Sequence, residues 1–229
     1  MQSEQPIIPL HVGFIVDGNR RWARRHGLPW YEGHLAGRTV ITEILPHIVN
    51  KGVKYISLYV FSTENWSRSK DEVSRLIKLI LQILKDDLKE FIKQDVRLRV
   101  LGTRERLSQA VLKAIDDAEE KTKHCQRATV CVCFNYGGQL EIADAAEACR
   151  QAGGPITTEA IRAHLYAPDV PDLDVVVRTS GEERISNFML WRAAYSEMIF
   201  VKKMWPDLRT EDIDKILKEY ARRNRRFGG

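Results

Sequence analysis

The chain has 229 residues, 44% of them apolar and 29% charged. A chain of this size buries roughly 70% of its extended surface, enough for one substantial core, and the composition excludes a disordered or collagen-like protein. Lys and Arg outnumber Asp and Glu by 36 to 31, a net charge of +5 that points to an anionic partner without distinguishing nucleic acid, anionic lipid or a phosphorylated small molecule.

The first residues, MQSEQPIIPLH, lack a basic segment followed by an apolar block, so no signal peptide is expected and the chain reads as cytoplasmic. From His11 to Val16 an apolar run predicts a strand buried on both faces, ending in Asp17-Gly18-Asn19-Arg20-Arg21. Helices follow at about Arg20 to Arg25 and Ala36 to Asn50, then a second strand from Tyr55 to Phe61 that runs into Ser62-Thr63-Glu64-Asn65.

Val73, Leu76, Ile77, Ile80, Ile83, Leu84, Leu88 and Phe91 recur at spacings of three and four behind Ser69 and Glu72, a capping-box pair. This predicts one long amphipathic helix from Val73 to Ile92. Its apolar stripe is wide enough to line a hydrophobic cavity, although core packing is the commoner reason for such a stripe. The apolar stretch from Leu76 is interrupted by Lys78 and Gln82 and falls far short of the ~20 residues that cross a bilayer. Two acidic groups, Asp86-Asp87 with Glu90 and Asp116-Asp117 with Glu119, sit among lysines and read as solvated helix faces.

The remaining strands are expected at Val96 to Leu101, Ala128 to Phe134, Leu173 to Arg178 and Met198 to Val201. Helices are expected at Arg104 to Lys121, Glu141 to Ala152, Thr158 to Leu165 and Thr210 to Arg223. The alternation predicts an α/β fold: a single domain over residues 1–229 with a mostly parallel central sheet of about six strands flanked by helices. Cys131 and Cys133 lie two apart in a strand, where bridge geometry is poor. Neither Cys125 nor Cys149 makes a C-x-x-C pair and the six histidines show no ligand spacing, so buried thiols are expected in place of a disulfide framework or a zinc site.

Polar loops, three of them containing glycine, follow four of the strands, and in an open parallel sheet the carboxyl ends of the strands form the ligand crevice. After the first strand, Gly18 permits a tight turn, Arg21 supplies a cation and Asp17 could bring in Mg²⁺; a lone D-G-N turn is common. After the fifth expected strand, Arg178, Thr179, Ser180, Arg184 and Ser186 fall within nine residues, and guanidinium forks match phosphate oxygens. Asn135-Tyr136-Gly137-Gly138 follows the fourth. Two anion cradles at one sheet edge suggest a pair of ligands, each carrying phosphate. No P-loop or dinucleotide fingerprint is present.

HVGFIVDGNRRWARRHGLPWYEGHLAG, LYVFSTENWSR, VVVRTSGEERISNFMLW followed by AYSE, and the terminal RRFGG together resemble the signatures of the cis-prenyltransferase, or undecaprenyl diphosphate synthase-like, family, collinearly from His11 to Gly229. The resemblance implies Mg²⁺-dependent condensation of isopentenyl diphosphate with an allylic diphosphate such as farnesyl or geranyl diphosphate. The product would be a Z-polyprenyl diphosphate, grown in a hydrophobic tunnel. By position it implies that Asp17 is the Mg²⁺-linked aspartate and that Gly18, Asn19, Arg20 and Arg21 wrap the allylic diphosphate, with Trp22 and His34 as further binding positions. Ser62, Thr63, Glu64, Trp66 and Arg68 match a flexible substrate loop, and Asn65 its proton acceptor; neutral amides are weak bases, so positioning is the first role for Asn65.

The resemblance further places Arg178, Arg184, Ile185 and Ser186 in the isopentenyl diphosphate cradle and makes Glu197 a metal-associated glutamate, which a partner subunit can supply in homodimeric members. Residues 222–229, with Arg226 and Gly228, match a carboxyl-terminal tail reaching across that dimer. An apolar product would draw the protein to the membrane periphery.

Two departures stand out. Trp30 replaces an arginine used for the allylic diphosphate, and Arg20 replaces a glycine, so Arg20 is expected to supply part of the missing charge. Val60 stands where longer-chain members carry alanine, which predicts a short or medium product. A basic nucleic-acid-binding module is the alternative from another class, disfavoured because the cations cluster at strand ends and not along an aromatic-interleaved face. An inactive scaffold subunit is disfavoured by Asp17, Asn65, Arg178, Arg184 and Glu197.

Overall fold

The computed structural model describes residues 7–223. Six strands form one sheet: β1 (His11–Ile15), β2 (Tyr55–Ser62), β3 (Val96–Leu101), β4 (Ala128–Tyr136), β5 (Val175–Arg178) and β6 (Glu197–Phe200). Their order is β3-β4-β2-β1-β5-β6, and every neighbouring pair is parallel. Each residue of β1 and β5 is buried, as a sheet covered on both faces requires.

The helices are α1 (Asn19–Arg25), α2 (Trp30–Asn50), α3 (Lys70–Lys85), α4 (Leu88–Lys93), α5 (Gln109–Thr122), α6 (Gly138–Gln151), α7 (Thr158–His164) and α8 (Thr210–Arg222). One face of the sheet packs on α2, α3, α4, α5 and α8 in a continuous core that contains Phe14, Ile44, Ile80, Leu98, Trp205 and Ile216. A smaller core on the other face gathers Tyr59, Tyr136, Phe188 and Met189 with the irregular segments on either side of β5, which supply Tyr166, Val170 and Leu173 before it and Ile185 and Ala193 after it. None of the helices among the described residues is long and apolar enough to cross a membrane.

The apolar stripe from Val73 to Phe91 is two helices, not one. Between α3 and α4 lie Asp86 and Asp87, and Asp87 accepts Arg38 Nε and Nη at 2.9 and 2.6 Å. Aspartate competes with the helical backbone, and a two-pronged ion pair to α2 fixes the break, so Asp87 is a clamp and not part of a solvated face. Ser69 does cap α3 by accepting the Glu72 N–H, but the Glu72 carboxylate does not return the bond.

Two boundaries also move. The second helix starts at Trp30 and not Ala36, because Gly33 is needed in it: a Cβ there would fall 1.9 Å from the Asn19 carbonyl oxygen. The fifth starts at Gln109 and not Arg104, since Arg106 is left-handed at φ 62° and Ser108 supplies the cap.

An ion pair between Glu141 and Arg192, 0% and 1% exposed and 2.8 Å apart, ties α6 to the irregular segment. Glu141 also accepts the Tyr136 hydroxyl and the Tyr166 N–H, while Arg192 donates to the carbonyls of Tyr166 and Ala167. Removing one partner leaves a buried charge uncompensated, so Glu141→Ala should lose about 3–5 kcal/mol of stability, read from urea denaturation midpoints.

Candidate active site

The carboxyl ends of β1, β2 and β5 border a cavity of about 460 Å³. At its base, Arg178 ends β5 with a side chain only 5% exposed. It donates to Asp17 Oδ2 at 3.0 Å and, through its other terminal nitrogen, to the Arg184 carbonyl and Ser186 Oγ, both at 2.6 Å. Thr179 Oγ1 donates to the Asp17 carbonyl at 2.7 Å, so the turns after β1 and β5 are held together twice.

Gly18 adopts φ 104°, a left-handed conformation that favours glycine, and its N–H donates to Asp17 Oδ1 at 2.6 Å. No side chain caps α1, which leaves first-turn amides for solvent or a ligand. Arg21 lies 3.5 Å from Asp17 and 2.9 Å from Glu182, whose other oxygen takes Arg184 at 2.6 Å. Glu182 thus bridges a cation from each loop, and Arg184 foremost, with Arg21, holds its carboxyl below the usual range.

The third wall comes from Thr63–Ser67, a short 3-10 turn, with Ser62 and Arg68 at its two ends. Asn65 Oδ1 accepts the Ser62 N–H at 3.1 Å. Its carbonyl oxygen is therefore engaged, which suits a positioning amide better than a base. Arg68 reaches Glu72 at 2.7 Å, and Arg20 approaches the same carboxylate at 3.3 Å, so Glu72 offsets part of the charge that Arg20 brings to the cavity.

His34 is half-buried against these groups, with its Nε2 atom fully covered. Burial, followed by the fields of Arg68 and Arg20, lowers its pKa to about 4, so the ring is neutral at pH 7. Its Nε2, Arg178 Nε, Asn19 Oδ1 and Ser180 Oγ are buried polar atoms without a hydrogen-bond partner among the described residues. Such atoms concentrate where a ligand or water is to be bound.

Below this polar mouth, and sharing Val16, Asn19, His34, Val60 and Leu76 with it, lies a gap of about 40 Å³ walled by Ile41, Leu79, Ile80, Ile83 and Trp205. The expected hydrophobic tunnel is not seen among the described residues, where the apolar space beside the cavity is limited to this gap.

Asp17, Gly18, Asn19, Arg20, Arg21, His34, Ser62, Asn65, Arg68, Arg178 and Ser186 all border the cavity. Thr63, Glu64, Arg184 and Ile185 belong to the same loops but do not border it. Three tryptophans are elsewhere because the fold uses them. Trp22 Nε1 donates to Asp207 at 2.7 Å, Trp66 Nε1 to Asn135 at 2.7 Å, and Trp30 packs edge-on against His34.

Glu197 opens β6 in register with Val175, three residues and roughly 10 Å short of the Arg178 end, and pairs with Arg223 at 3.1 Å. It does not join Asp17 within one subunit. Arg226 and Gly228 lie outside the described residues. Tyr59, Val60, Phe61 and Leu76 line the cavity beside the expected residues. Val60 was singled out from the sequence, Tyr59 and Phe61 could have been found from the same place at the end of an apolar strand, and Leu76 carried only the helical stripe.

Cations and buried polar atoms without a partner among the described residues thus gather at the strand ends of a parallel α/β sheet, next to an apolar gap. Residues 15–228 match the family described as putative undecaprenyl diphosphate synthase. An isoprenyl transferase of Thermotoga maritima is 44% identical over 227 residues, covering 97% of each chain. A trans,polycis-polyprenyl diphosphate synthase of Thermobifida fusca, specific for (2Z,6E)-farnesyl diphosphate, is 41% identical over 235 residues, covering all of this chain and 83% of the relative.

Among solved structures, lavandulyl diphosphate synthase from Lavandula x intermedia, in complex with dimethylallyl diphosphate, superposes with a TM-score of 0.92 at 31% identity, over 97% of this chain and 99% of that one. A probable undecaprenyl diphosphate synthase from Campylobacter jejuni gives 0.84 at 32% identity, over 96% and 99%. The chain belongs to the undecaprenyl diphosphate synthase family and is a cis-prenyltransferase.

Two histidines, buried His11 and half-buried His34, make stability pH-dependent. His11 donates from Nδ1 to the Pro171 carbonyl and pairs with Ser57 Oγ through Nε2, and burial lowers its pKa to about 4, as in His34. The unfolded chain takes up these protons near pH 6.5, while the folded one resists until about pH 4. Stability is therefore full above the unfolded value and falls as pH drops between the two, by as much as about 3 kcal/mol per histidine. Urea midpoints at pH 7.5 and 4.5 should show this loss, and His34→Asn should remove about half of it.

Proposed function

We propose that the protein condenses isopentenyl diphosphate with an allylic diphosphate to form a Z-prenyl diphosphate, with both diphosphates held at the rim formed by the turns after β1 and β5. What carries this reading is the buried Arg178 guanidinium, paired with Asp17 and still holding one unpartnered N–H, at the junction of two cation-rich loops above an apolar gap.

The Asp17–Arg21 turn would take the allylic headgroup, with Arg21 and the uncapped first-turn amides of α1 as donors. Arg178, Arg184 and Ser186 would hold isopentenyl diphosphate, and Asn65 would orient it. As the allylic C–O bond breaks, its electron pair leaves with the diphosphate. Cationic donors already in place stabilise that growing charge more than they stabilise the bound substrate. The isopentenyl double bond then attacks the allylic carbon, and a proton leaves to form the new double bond.

The residues fit Mg²⁺ of the kind carried in on a substrate. Asp17 is the sole carboxylate bordering the cavity, the Asn19 Oδ1 oxygen there lacks a donor, and no cluster of three or more candidate ligands exists among the described residues. Mg²⁺ is commonly held by one or two carboxylates plus phosphate oxygens. When bound, it would add positive charge to the departing diphosphate.

The tail must widen the 40 Å³ gap, and Leu76, Leu79, Ile80 and Ile83 all belong to α3, so α3 is the wall that yields. Pairing of two copies, with Glu197 and the tail from Arg222 onward serving a neighbouring site, completes the proposal; β6 is a sheet edge, and Tyr195 nearby is 75% exposed. The apolar product supports a peripheral membrane contact.

Incubation with isopentenyl diphosphate, Mg²⁺ and each of several allylic primers, followed by chromatography of the extracted prenols, tests the activity. Asp17→Asn should lower kcat by about 100-fold or more. Val60 borders both cavity and gap, so Val60→Ala is expected to lengthen the product distribution in the same assay; an unchanged distribution would remove Val60 as a chain-length determinant.

A further inference from the structure

The end of β4 and the turn that leads it into α6, Asn135-Tyr136-Gly137-Gly138, do not border the cavity, yet both walls of the site are fastened to them. Asn135, buried and left-handed at φ 52°, accepts Trp66 Nε1 at 2.7 Å and donates to the carbonyls of Thr103 and Glu105. That fixes one end of the turn carrying Asn65. A Cβ on Gly137 would fall 2.6 Å from Thr63 Oγ1 and 3.0 Å from Asn187 Nδ2, so glycine is what lets these two chains meet there.

Asn187 makes the second fastening. Its carbonyl accepts the Gly138 N–H and its Oδ1 the Gln139 N–H, both at 2.8 Å, capping α6 from a distant part of the chain. Its Nδ2 donates to Glu64 Oε1 at 2.8 Å. Asn187 and its neighbour Ser186 are both left-handed, at φ 64° and 47°. Such backbone persists where its surroundings over-determine it, and asparagine tolerates it while offering an acceptor and a donor on one side chain.

We propose that Asn187 is a positioning residue that sets the Ser62–Arg68 turn at a fixed distance from the Arg184–Ser186 loop, using the turn after β4 as the common post. It rests on the prenyl-transfer function above and adds to it a coupling between the two walls. The Asn187–Glu64 contact makes no bond to the Asp17–Arg21 turn, which the walls reach only through the Glu182, Glu72 and Arg178 pairs, so the larger effect falls on isopentenyl diphosphate and turnover and the smaller on the allylic substrate.

The test is a double-mutant cycle with Glu64. Asn187→Asp keeps the left-handed tolerance and the acceptor for Gln139 but sets a second carboxylate against Glu64. It should lower kcat/KM for isopentenyl diphosphate about tenfold and leave the allylic KM within about twofold. Glu64→Gln should then act with opposite sign in the two backgrounds. It lowers activity in the wild type by weakening a charge-assisted bond, and raises it in Asn187→Asp by restoring a donor–acceptor pair.

Asn187→Gly, which keeps the backbone conformation and adds no charge, provides the same comparison if the aspartate variant does not fold; there Glu64→Gln gives no recovery. Wild-type kcat/KM in Asn187→Asp, an equal factor from Glu64→Gln in every background, or an allylic KM that rises in step would each overturn the proposal. A wild-type protein that makes no prenyl product from any primer would instead overturn the function on which it rests.

Discussion

Asp17 and Arg178 face each other at 3.0 Å across the carboxyl ends of β1 and β5, two strands 160 residues apart in the chain but adjacent in the sheet. A buried guanidinium is tolerated only with a counter-charge and satisfied donors. Asp17, the Arg184 carbonyl and Ser186 meet most of that need, and in doing so they lock the loops after both strands into one rim. The residual unpartnered N–H of Arg178 keeps the rim receptive to an acceptor-rich ligand.

The same rim is crowded with cations that are partly neutralised by the protein itself. Glu182 holds Arg21 and Arg184, and Glu72 holds Arg68 and Arg20. The Glu182 pairs are partly exposed, worth little individually to stability, and can be exchanged for phosphate oxygens at small cost, whereas Glu72 is buried and would be left uncompensated without a cation. Directly beneath, the apolar wall of α3 supplies a surface of opposite character.

Much of this was legible from the residues in order. Strands buried on both faces declare themselves as apolar runs, and all six were placed to within a few residues; loops at their carboxyl ends had to converge once the sheet was parallel. Helix limits were less readable. Gly33 and Gly37 disguise the start of α2, because the benefit of a missing Cβ lies in the Asn19 carbonyl and side chain that approach it, and neither contact is visible in local propensity. The break at Asp86-Asp87 likewise depends on Arg38, almost fifty residues earlier.

The sequence by itself determined the α/β class, the parallel sheet, the family and most of the residues that rim the cavity, because each rests on a periodicity or motif confined to a short stretch of chain. Tertiary structure alone decided which motif residues face the cavity and which serve packing. Trp22, Trp30 and Trp66 were turned to partners of their own, Glu197 was left at the far end of its strand, and the Asn135–Gly138 turn became a post for two walls. Side-chain direction and long-range hydrogen bonding depend on what the fold brings alongside, and that information is distributed over the whole chain and absent from any one segment.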